Sequence, residues 1–329
     1  YGDHRDLHPI LHSFPTRRSS DLIGSPREFH GGNDWAMPVR HFLNASADQW
    51  GQMLANVAAA VANEKGVQAP VAGVADSAAQ AVAASLSAGK GAAILLGNAA
   101  AHHVNASALL SLANWIAAQT GCTVGYLTEA ANTVGAQLVK AQPQTGGQTA
   151  AQMLAGGCKA LVLLGCEPAC DSAAGAAAVS ALQKADMVVS MSPFKANMDV
   201  ADVLLPVSPF TETSGTFVNA AGLAQSFHAV VKPLGDTRPA WKVLRVLCNM
   251  LSIPGTEFET SQDVLAASGV AVGDVPAALL SNASDAPIVF DAIALDATPS
   301  VAGIYQLDGI VRRAPALQHT VDATQEVFA

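Results

Sequence analysis

The sequence is poor in charge: charged residues make up only 13% of its 329 residues, and the net charge is −9. A protein that coats nucleic acid has to neutralise many phosphates with Lys and Arg, so nucleic acid is a poor partner for this chain. Long apolar runs are also missing, because Gly, Asn, Gln or Lys interrupts each stretch that approaches the length of a membrane-spanning helix. We therefore expect no direct membrane insertion, and any membrane association has to come through partners.

Metal-binding patterns are also scarce. The cysteines number five and lack the spacing of a zinc ribbon, which favours a reducing compartment. Cys166 and Cys170 form a C-x-x-x-C that could ligate an iron–sulfur cluster, but such clusters need four thiolates in tighter groups, so a structural role is favoured. His102 and His103 could bind a metal, yet adjacent side chains at a helix entry point apart and no third ligand is near in sequence. We predict no metal site.

Catalytic motifs are missing too, since neither a Ser-His-Asp pattern nor a G-x-G-x-x-G pattern supports hydrolase or dinucleotide chemistry. Asp202 and Glu212 could form an acid–base pair, although Asp202 at a strand start is better explained as a local hydrogen-bond acceptor. Arg312 and Arg313 either bind an acidic partner or belong to a solvated tail, and the sequence leaves both alternatives open. We predict no catalytic residue.

The N-terminal segment differs from the rest of the chain. Residues 12–22, H-S-F-P-T-R-R-S-S-D-L, resemble one reading frame of a common sequencing adapter. Segments of foreign origin are excluded from fold reasoning, so we expect residues 1–22 to be a non-native, disordered artefact. On this interpretation the native chain begins upstream of Ile23, and the sequence is a fragment.

Short apolar runs predict the fold class. Residues 92–96 and 160–164 are short apolar runs that are each followed by helical periodicity, and residues 187–191 supply another strand. Strands that are continuously rather than alternately apolar belong to parallel sheets covered on both faces. We predict an α/β fold with a doubly wound, mostly parallel sheet over residues 23–255, followed by a less regular extension at 256–329 that packs on a partner.

Helix boundaries can be predicted from capping residues. Ser46 with Gln49 three residues later suggests a capping box for a helix that ends near Gly66. A second helix is predicted over residues 74–86, and a third from Asp171 or Ser172 to residue 184. A later helix begins near Pro239, with Trp241, Leu244, Leu247, Cys248 and Leu251 on one face.

The loops after the strands are the candidate ligand site. In a parallel sheet, ligands bind outside the carboxyl ends of the strands, and the loops at Gly97, Gly165, Ser192 and Pro206 are predicted to share that edge. The stretch 201–225 is rich in Thr, Ser, Gly and Asn, residues that direct polar groups toward a ligand.

This stretch resembles the corresponding loop of the molybdopterin-dependent oxidoreductases. A Leu-Pro strand end precedes an acidic residue and a G-T-F-x-N run, and the matching positions are Glu212, Gly215, Thr216, Phe217, Asn219, Gly222 and Gln225. Ala221 and Leu223 depart from the pattern, since the family usually has Glu and Arg there. Glu167 departs as well, because the family has Asn in the similar Gly-x-Asn-Pro turn at the nucleotide end of the pterin.

The resemblance implies vestigial cofactor-binding positions, namely Gly97, Asn98, Gly165, Glu167, Ser192, Thr213, Gly215 and Asn219. A carboxylate at residue 167 repels phosphates, and no Cys, selenocysteine or Ser can be assigned as a ligand for molybdenum. We therefore expect that the molybdopterin has been lost and that this fragment holds no cofactor.

A second resemblance covers the chain from about residue 90 onward. The runs L-L-G-N-A-A-A-H-H, L-L-G-C-E-P-A-C-D and I-Y-Q-L-D-G-I-V-R-R-A-P-A-L-Q, among others, are similar to the C-terminal half of the large iron–sulfur subunit of bacterial NADH-quinone oxidoreductase, respiratory complex I. This resemblance implies a structural scaffold without an active centre of its own, with iron–sulfur clusters in an N-terminal region that the sequence lacks.

It further implies contacts with other peripheral-arm subunits, on the cytoplasmic side of the inner membrane, in an assembly that couples electron transfer from NADH to quinone with proton pumping. The alternative is a pterin–molybdenum-dependent oxidoreductase domain related to formate dehydrogenase or nitrate reductase.

Overall fold

The structure is a computed structural model that describes residues 20–24, 39–89, 91–291 and 303–326. The strands are β1 (Ser20–Gly24), β2 (Val39–Asn44), β3 (Ala93–Leu96), β4 (Thr123–Tyr126), β5 (Ala160–Leu164), β6 (Met187–Ser192), β7 (Val203–Pro206), β8 (Gly215–Val218), β9 (Leu223–Phe227) and β10 (Gly273–Asp274). The α-helices are α1 (Trp50–Lys65), α2 (Ser77–Ala88), α3 (Asn98–Ala101), α4 (Ala106–Thr120), α5 (Thr133–Leu138), α6 (Ala150–Leu154), α7 (Pro168–Asp171), α8 (Ala176–Leu182), α9 (Ala240–Met250), α10 (Ser261–Ser268), α11 (Ile304–Leu307), α12 (Pro315–Gln318) and α13 (Val321–Glu326).

The strands form mostly parallel sheets. Strands β1 and β2, β3 and β4, and β5, β6 and β7 pair in parallel, whereas β8, β9 and β10 form an antiparallel sheet. The predicted α/β class is therefore confirmed. None of the helices in the described part of the chain combines the length and the apolar composition that crossing a bilayer requires.

The chain divides into two compact units. Unit 1 comprises the described residues of Tyr1–Leu127 and Asn282–Ala329, and unit 2 is Thr128–Ser281. This division does not follow the predicted boundary at residue 255, because residues 256–281 pack with unit 2 and the segment from Asn282 packs with unit 1. A chain that returns to its first unit leaves no local signal in composition, so the sequence could not reveal the boundary.

Unit 1 is built around helices α1, α2 and α4. Val57, Val61, Leu112 and Ile116 are at most 1% exposed at the centre of this helical core. Helix α1 ends at Gly66, as predicted, because Gly66 takes the left-handed conformation (φ 66°) that glycine adopts without strain. The predicted capping box of Ser46 is wrong: its side chain makes no capping hydrogen bond, and a 3-10 turn at Ala47–Gln49 comes before the helix.

The N-terminal prediction is corrected in part. Residues 20–22, assigned to a disordered artefact, lie in strand β1, which pairs with β2 in the register Asp21 to His41 and Leu22 to Phe42. The rest of that prediction, residues 1–19, lies outside the described residues.

An extended segment at residues 282–291 completes unit 1. Asn114 donates to the carbonyl of Asn282 at 2.8 Å, and Asn282 donates to the carbonyl of Val124 at 3.0 Å. Asn105 exchanges hydrogen bonds with the backbone of Asp291 at 3.1 and 3.2 Å. Side-chain amides therefore hold this irregular segment against the helical core in place of a strand ladder.

In unit 2 the sheet β5–β6–β7 is in the predicted place, since β5 matches residues 160–164 and β6 begins at Met187. Burial alternates along β5: Leu161 and Leu163 pack against Leu182 of α8, whereas Val162 and Leu164 remain about half exposed. We expected both faces of the sheet to be covered, but along β5 only the face that carries Leu161 and Leu163 is buried.

The helix after β5 is shorter than predicted. A four-residue helix, α7, begins at Pro168, and α8 begins only at Ala176. Gly175 precedes α8 with φ 52°, a left-handed conformation that interrupts the helical path. Residues 171 and 172 thus end one helix rather than start the long one expected from their capping chemistry.

Candidate functional site

The carboxyl edge of the β5–β6–β7 sheet brings together three of the predicted loops. Gly165 follows β5, Ser192 ends β6, and Pro206 ends β7, and adjacent strands pair in parallel up to these ends. Gly97 and Asn98 are not part of this sheet. They follow β3 in unit 1, where Gly97 is the N-cap of α3.

The turn after β5 is closed by its own side chains. Gly165 has φ 64° and donates its N–H to the carbonyl of Met191 at 2.8 Å. The Asp171 carboxylate accepts the N–H of Glu167 at 2.7 Å, so the chain itself uses a donor at the start of α7. Burial raises the pKa of the Cys166 thiol, and the negative charges of Asp171 and Glu167 raise it further. Two negatively charged side chains therefore lie close to this thiol.

Asn197 connects this turn to the neighbouring strand, a role that the sequence analysis missed. Its side-chain amide donates to the carbonyl of Cys166 at 3.0 Å and to the hydroxyl of Ser190 at 3.1 Å. Asn197 has φ 58°, a conformation that Asn tolerates better than most residues. An Asn shortly after a buried strand was the available signal, but nothing in the sequence identifies its partners.

Side chains of the loop between β7 and β8, and Ser192 at the end of β6, already have hydrogen-bond partners within the chain. Thr213 donates its hydroxyl to the carbonyl of Pro209 at 2.9 Å, and a Glu212 carboxylate oxygen accepts the N–H of Leu234 at 3.0 Å. Ser192 accepts the N–H of Phe194 at 3.1 Å. These contacts fix the loop and engage the side chains predicted for ligand binding.

The β8–β9 hairpin is held by Asn219. Its side-chain oxygen accepts the N–H groups of Ala221 and Leu223, both at 3.0 Å. Gly222 has φ 81°, and an added Cβ would overlap the Leu280 side chain. The backbone shape of the G-T-F-x-N run is therefore produced without the Glu and Arg that Ala221 and Leu223 replace.

A cavity lies among the described residues of each unit. The cavity of unit 1 has a volume of about 460 Å³ and is mainly apolar, and Gly97, Asn98, Trp50 and Ile116 are among the residues that line it. The cavity of unit 2 is about 290 Å³, and Gly215, Thr216, Ser226 and Trp241 are among the residues that line it. Thr216 and Ser226 hydrogen-bond to each other across the hairpin at 2.8 Å.

The remaining candidates make structural contacts. His103 is 4% exposed; its Nε2 lies 3.0 Å from the carbonyl of Ala47, while Nδ1 accepts the N–H of Asn105. Asp202 accepts the N–H of Val188 in β6 at 2.7 Å, so its carboxylate is a structural acceptor between neighbouring strands rather than a local one. Arg312 and Arg313 donate to the carbonyls of Leu307 and Gly309.

Metal-ligating side chains do not gather in the described residues: no group of three or more His, Cys, Asp or Glu there could hold an ion. Cys122, Cys158, Cys166, Cys170 and Cys248 are free thiols.

Comparison with known proteins places these elements in a family. The model of the molybdopterin oxidoreductase family matches residues 59–250, more than half of the chain. The chain belongs to the molybdopterin oxidoreductase family. The match includes the β5–β6–β7 edge and the β8–β9 hairpin, where the sequence resemblance is concentrated.

Relatives in this family share short segments with the chain. A Staphylococcus aureus (strain MRSA252) protein that bears the name formate dehydrogenase is 39% identical over 74 residues, 22% of this chain and 8% of that protein. The NADPH-Fe(3+) oxidoreductase subunit alpha of Geobacter sulfurreducens is 36% identical over 98 residues, 30% of this chain and 12% of that protein. The chain thus spans about a tenth of the length of the curated relatives it matches.

The β5–α7 turn tests whether the described residues suit the nucleotide end of a pterin cofactor of this family. Glu167 and Asp171 place two carboxylates there, and like charges repel a phosphate. The N–H of Glu167 is already donated to Asp171, and α7 has only four residues. This turn does not fit a phosphate-bearing group.

Proposed function

We propose that the chain is part of an oxidoreductase subunit of the formate dehydrogenase type. The observation that carries this proposal is the 39% identity with the protein named formate dehydrogenase. The family match over residues 59–250 supports it. The activity belongs to the longer protein, of which this chain corresponds to a small part.

Within that subunit, the described residues act as a structural scaffold. Thr213 and Asn219 bond within their own loops, Glu212 accepts the N–H of Leu234, and the carboxylates of the β5 turn repel phosphate. The reacting centre is therefore assigned to other parts of the longer protein. On this proposal Gly97, Asn98, Gly165, Glu167, Ser192, Thr213, Gly215 and Asn219 shape the family fold and contact no reacting atom.

A second candidate function is a specific case of the scaffold role: the large iron–sulfur subunit of NADH-quinone oxidoreductase. Ala221 and Leu223 in place of the charged pair, and the acidic turn at Glu167, favour a history in which the pterin was lost. In that case the chain lies peripherally on the cytoplasmic side of the inner membrane, contacts other peripheral-arm subunits, and leaves the iron–sulfur clusters to another region.

The two candidates can be distinguished in the full-length protein purified from its source. The formate dehydrogenase type predicts near-stoichiometric molybdenum or tungsten by mass spectrometry, a fluorescent pterin after oxidation, and formate-dependent reduction of a viologen dye. Absence of all three, with NADH-dependent quinone reduction by the purified assembly, would replace the first candidate with the second. Absence of both activities in an assembly with intact iron–sulfur spectra would contradict both.

A further inference from the structure

His103 is buried in unit 1 by contacts that define the protonation state of its ring. The side chain is 4% exposed, and the ring stacks on the indole of Trp50 with the two centroids 5.8 Å apart. Nδ1 accepts the backbone N–H of Asn105 at 3.0 Å, so this nitrogen carries no proton. Nε2 lies 3.0 Å from the carbonyl oxygen of Ala47, which can only accept a hydrogen bond. These contacts select the neutral ring with its proton on Nε2.

A second proton on the His103 ring is incompatible with these contacts. It turns Nδ1 into a donor that faces the N–H of Asn105, and two donors cannot form a hydrogen bond with each other. A buried cation also needs a partner of opposite charge. Helices α1 and α4 carry no charged residue in their first two turns, and the titratable side chains on the adjoining segments, Asp48, His102 and Asp291, are exposed. No buried carboxylate of these elements therefore balances a charged ring.

Asn105 connects this ring to the segment 282–291. Its side chain bonds the backbone of Asp291 in both directions: Nδ2 donates to the carbonyl at 3.1 Å, and Oδ1 accepts the N–H at 3.2 Å. The neighbouring Phe290 packs against the helical core, so close to Gly51 that an added Cβ there would overlap the phenyl ring. A displacement of Asn105 therefore removes the hydrogen bonds that hold this end of the segment.

The other polar contacts of the segment do not depend on pH near neutrality. The hydroxyls of Ser284 and Ser111 bond to each other at 2.8 Å, and Asn114 donates to the carbonyl of Asn282 at 2.8 Å. Hydroxyl and amide side chains do not change their charge in this range. Acid is therefore expected to act on the Asp291 end of the segment and to leave the Asn282 end attached.

We propose that His103 is a pH-sensitive switch, and that its protonation displaces Asn105 and releases Phe290 and Asp291 from the helical core of unit 1. The proton comes from solvent, and no covalent bond changes. A solvent-exposed histidine takes up a proton below about pH 6.5. The attached state accommodates only the neutral ring, so attachment is fully present above that pH and is lost as the pH falls below it. Because all of these contacts lie within unit 1, the inference holds for either proposed function.

Hydrogen exchange of the Asp291 amide in the full-length protein tests this switch. Its protection factor, corrected for the intrinsic effect of pH on exchange, should fall about tenfold from about pH 7.5 to about pH 5.5, because a released histidine becomes mostly protonated over this range. The amide of Val74 is the control, since the side-chain oxygen of Asn56 accepts it at 2.9 Å and no histidine takes part. A constant protection factor at Asp291, or an equal fall at Val74, would overturn the proposal.

Two variants assign the effect to His103. In His103→Asn the side-chain oxygen can accept the N–H two residues on, as Asn does in turns, but it takes up no proton near neutral pH. Protection at Asp291 should then be the same at both pH values, whatever the lost stacking on Trp50 costs in overall stability. His41→Asn is the matched control, because His41 contacts Asp21 in unit 1 and should retain the tenfold fall. A fall in His103→Asn as large as in the parent protein would contradict the proposal.

Discussion

Units 1 and 2 differ in how far they bury the apolar faces of their helices. In unit 1, α1 and α4 bury long runs of side chains, and Leu112 and Ile116 are fully inaccessible. In unit 2, α9 is strongly amphipathic, with Trp241, Leu244 and Leu247 on one face, yet it buries none of its residues. Amphipathicity alone therefore does not tell whether a helix is covered within its own unit.

The two units therefore contribute differently to the stability of the protein and to its exposed apolar surface. Burial of apolar area is the main stabilising term in folding, so the helical core of unit 1 contributes most per residue. Unit 2 depends more on side-chain hydrogen bonds, such as those of Asn219 and Asn197, and keeps apolar area exposed on α9, β5 and residues 230–234. These are the surfaces through which a larger assembly can be built.

The largest expected effect comes from a substitution that creates a void in the helical core of unit 1. Leu112→Ala should lower the free energy of unfolding by about 3–4 kcal/mol, because a fully buried leucine leaves a void that its neighbours fill only in part. Urea unfolding followed by tryptophan fluorescence measures it. Leu164→Ala in β5 is the control: Leu164 is 47% exposed and should cost less than about 1 kcal/mol. Similar losses for both variants would remove the distinction between the units.

A backbone position in unit 2 should give the next largest effect. Gly222→Ala is expected to cost roughly 2–3 kcal/mol, because φ is 81° and the new methyl would overlap Leu280. Gly235→Ala shares the positive φ but meets nothing within 4 Å, so it should cost only about 1 kcal/mol. The difference in urea midpoint between the two variants isolates the overlap. Equal midpoints would mean that Leu280 moves aside freely.

Removal of an internal acceptor should have a smaller effect. Asn219→Ala leaves the N–H groups of Ala221 and Leu223 without their partner and should cost about 1–2 kcal/mol. Asn219→Asp retains the acceptor oxygen and should recover most of that loss. Amide hydrogen exchange at Ala221 and Leu223 gives the local readout. Unchanged exchange in Asn219→Ala would show that the hairpin needs no side-chain support.

Regular elements could be predicted from sequence, whereas irregular packing could not. The apolar run of β5 and the glycine that ends α1 are local signals, and both predictions were accurate. The segment 282–291 gave no periodic signal, because side-chain amides such as Asn114 and Asn282 replace the ladder bonds of a strand. Sequence cannot reveal such pairings between residues far apart in the chain.

The candidate site shows the same limit. The loops at Gly97, Gly165, Ser192 and Pro206 were predicted to share an edge because parallel strands end together; the structure brings the last three there, whereas Gly97 follows β3 in unit 1. The consequence of Glu167 was predicted only as repulsion of phosphate. That Asp171 also takes the Glu167 N–H depends on the early end of α7, which helical periodicity did not indicate.

The smallest expected effect concerns the reactivity of Cys166 in this turn. Burial, then the charges of Asp171 and Glu167, raise the pKa of its thiol, so less thiolate is present near about pH 8 than in a free thiol and alkylation is slow. Asp171→Asn removes a negative charge, which lowers the pKa, and should speed iodoacetamide labelling a few-fold, by about 2- to 5-fold. Labelling of Cys158 in the same sample serves as the internal reference.

The pH profile distinguishes charge from access in that experiment. If nearby charge controls the reactivity of Cys166, the midpoint of its labelling rate moves to lower pH in Asp171→Asn. It moves less in Glu167→Gln, because Glu167 raises the pKa of the Cys166 thiol less than Asp171 does. If the substitution only opens the turn, the rate rises equally at every pH and the midpoint stays in place. The second result would contradict a negatively charged turn, and with it the conclusion that this edge of unit 2 repels phosphate.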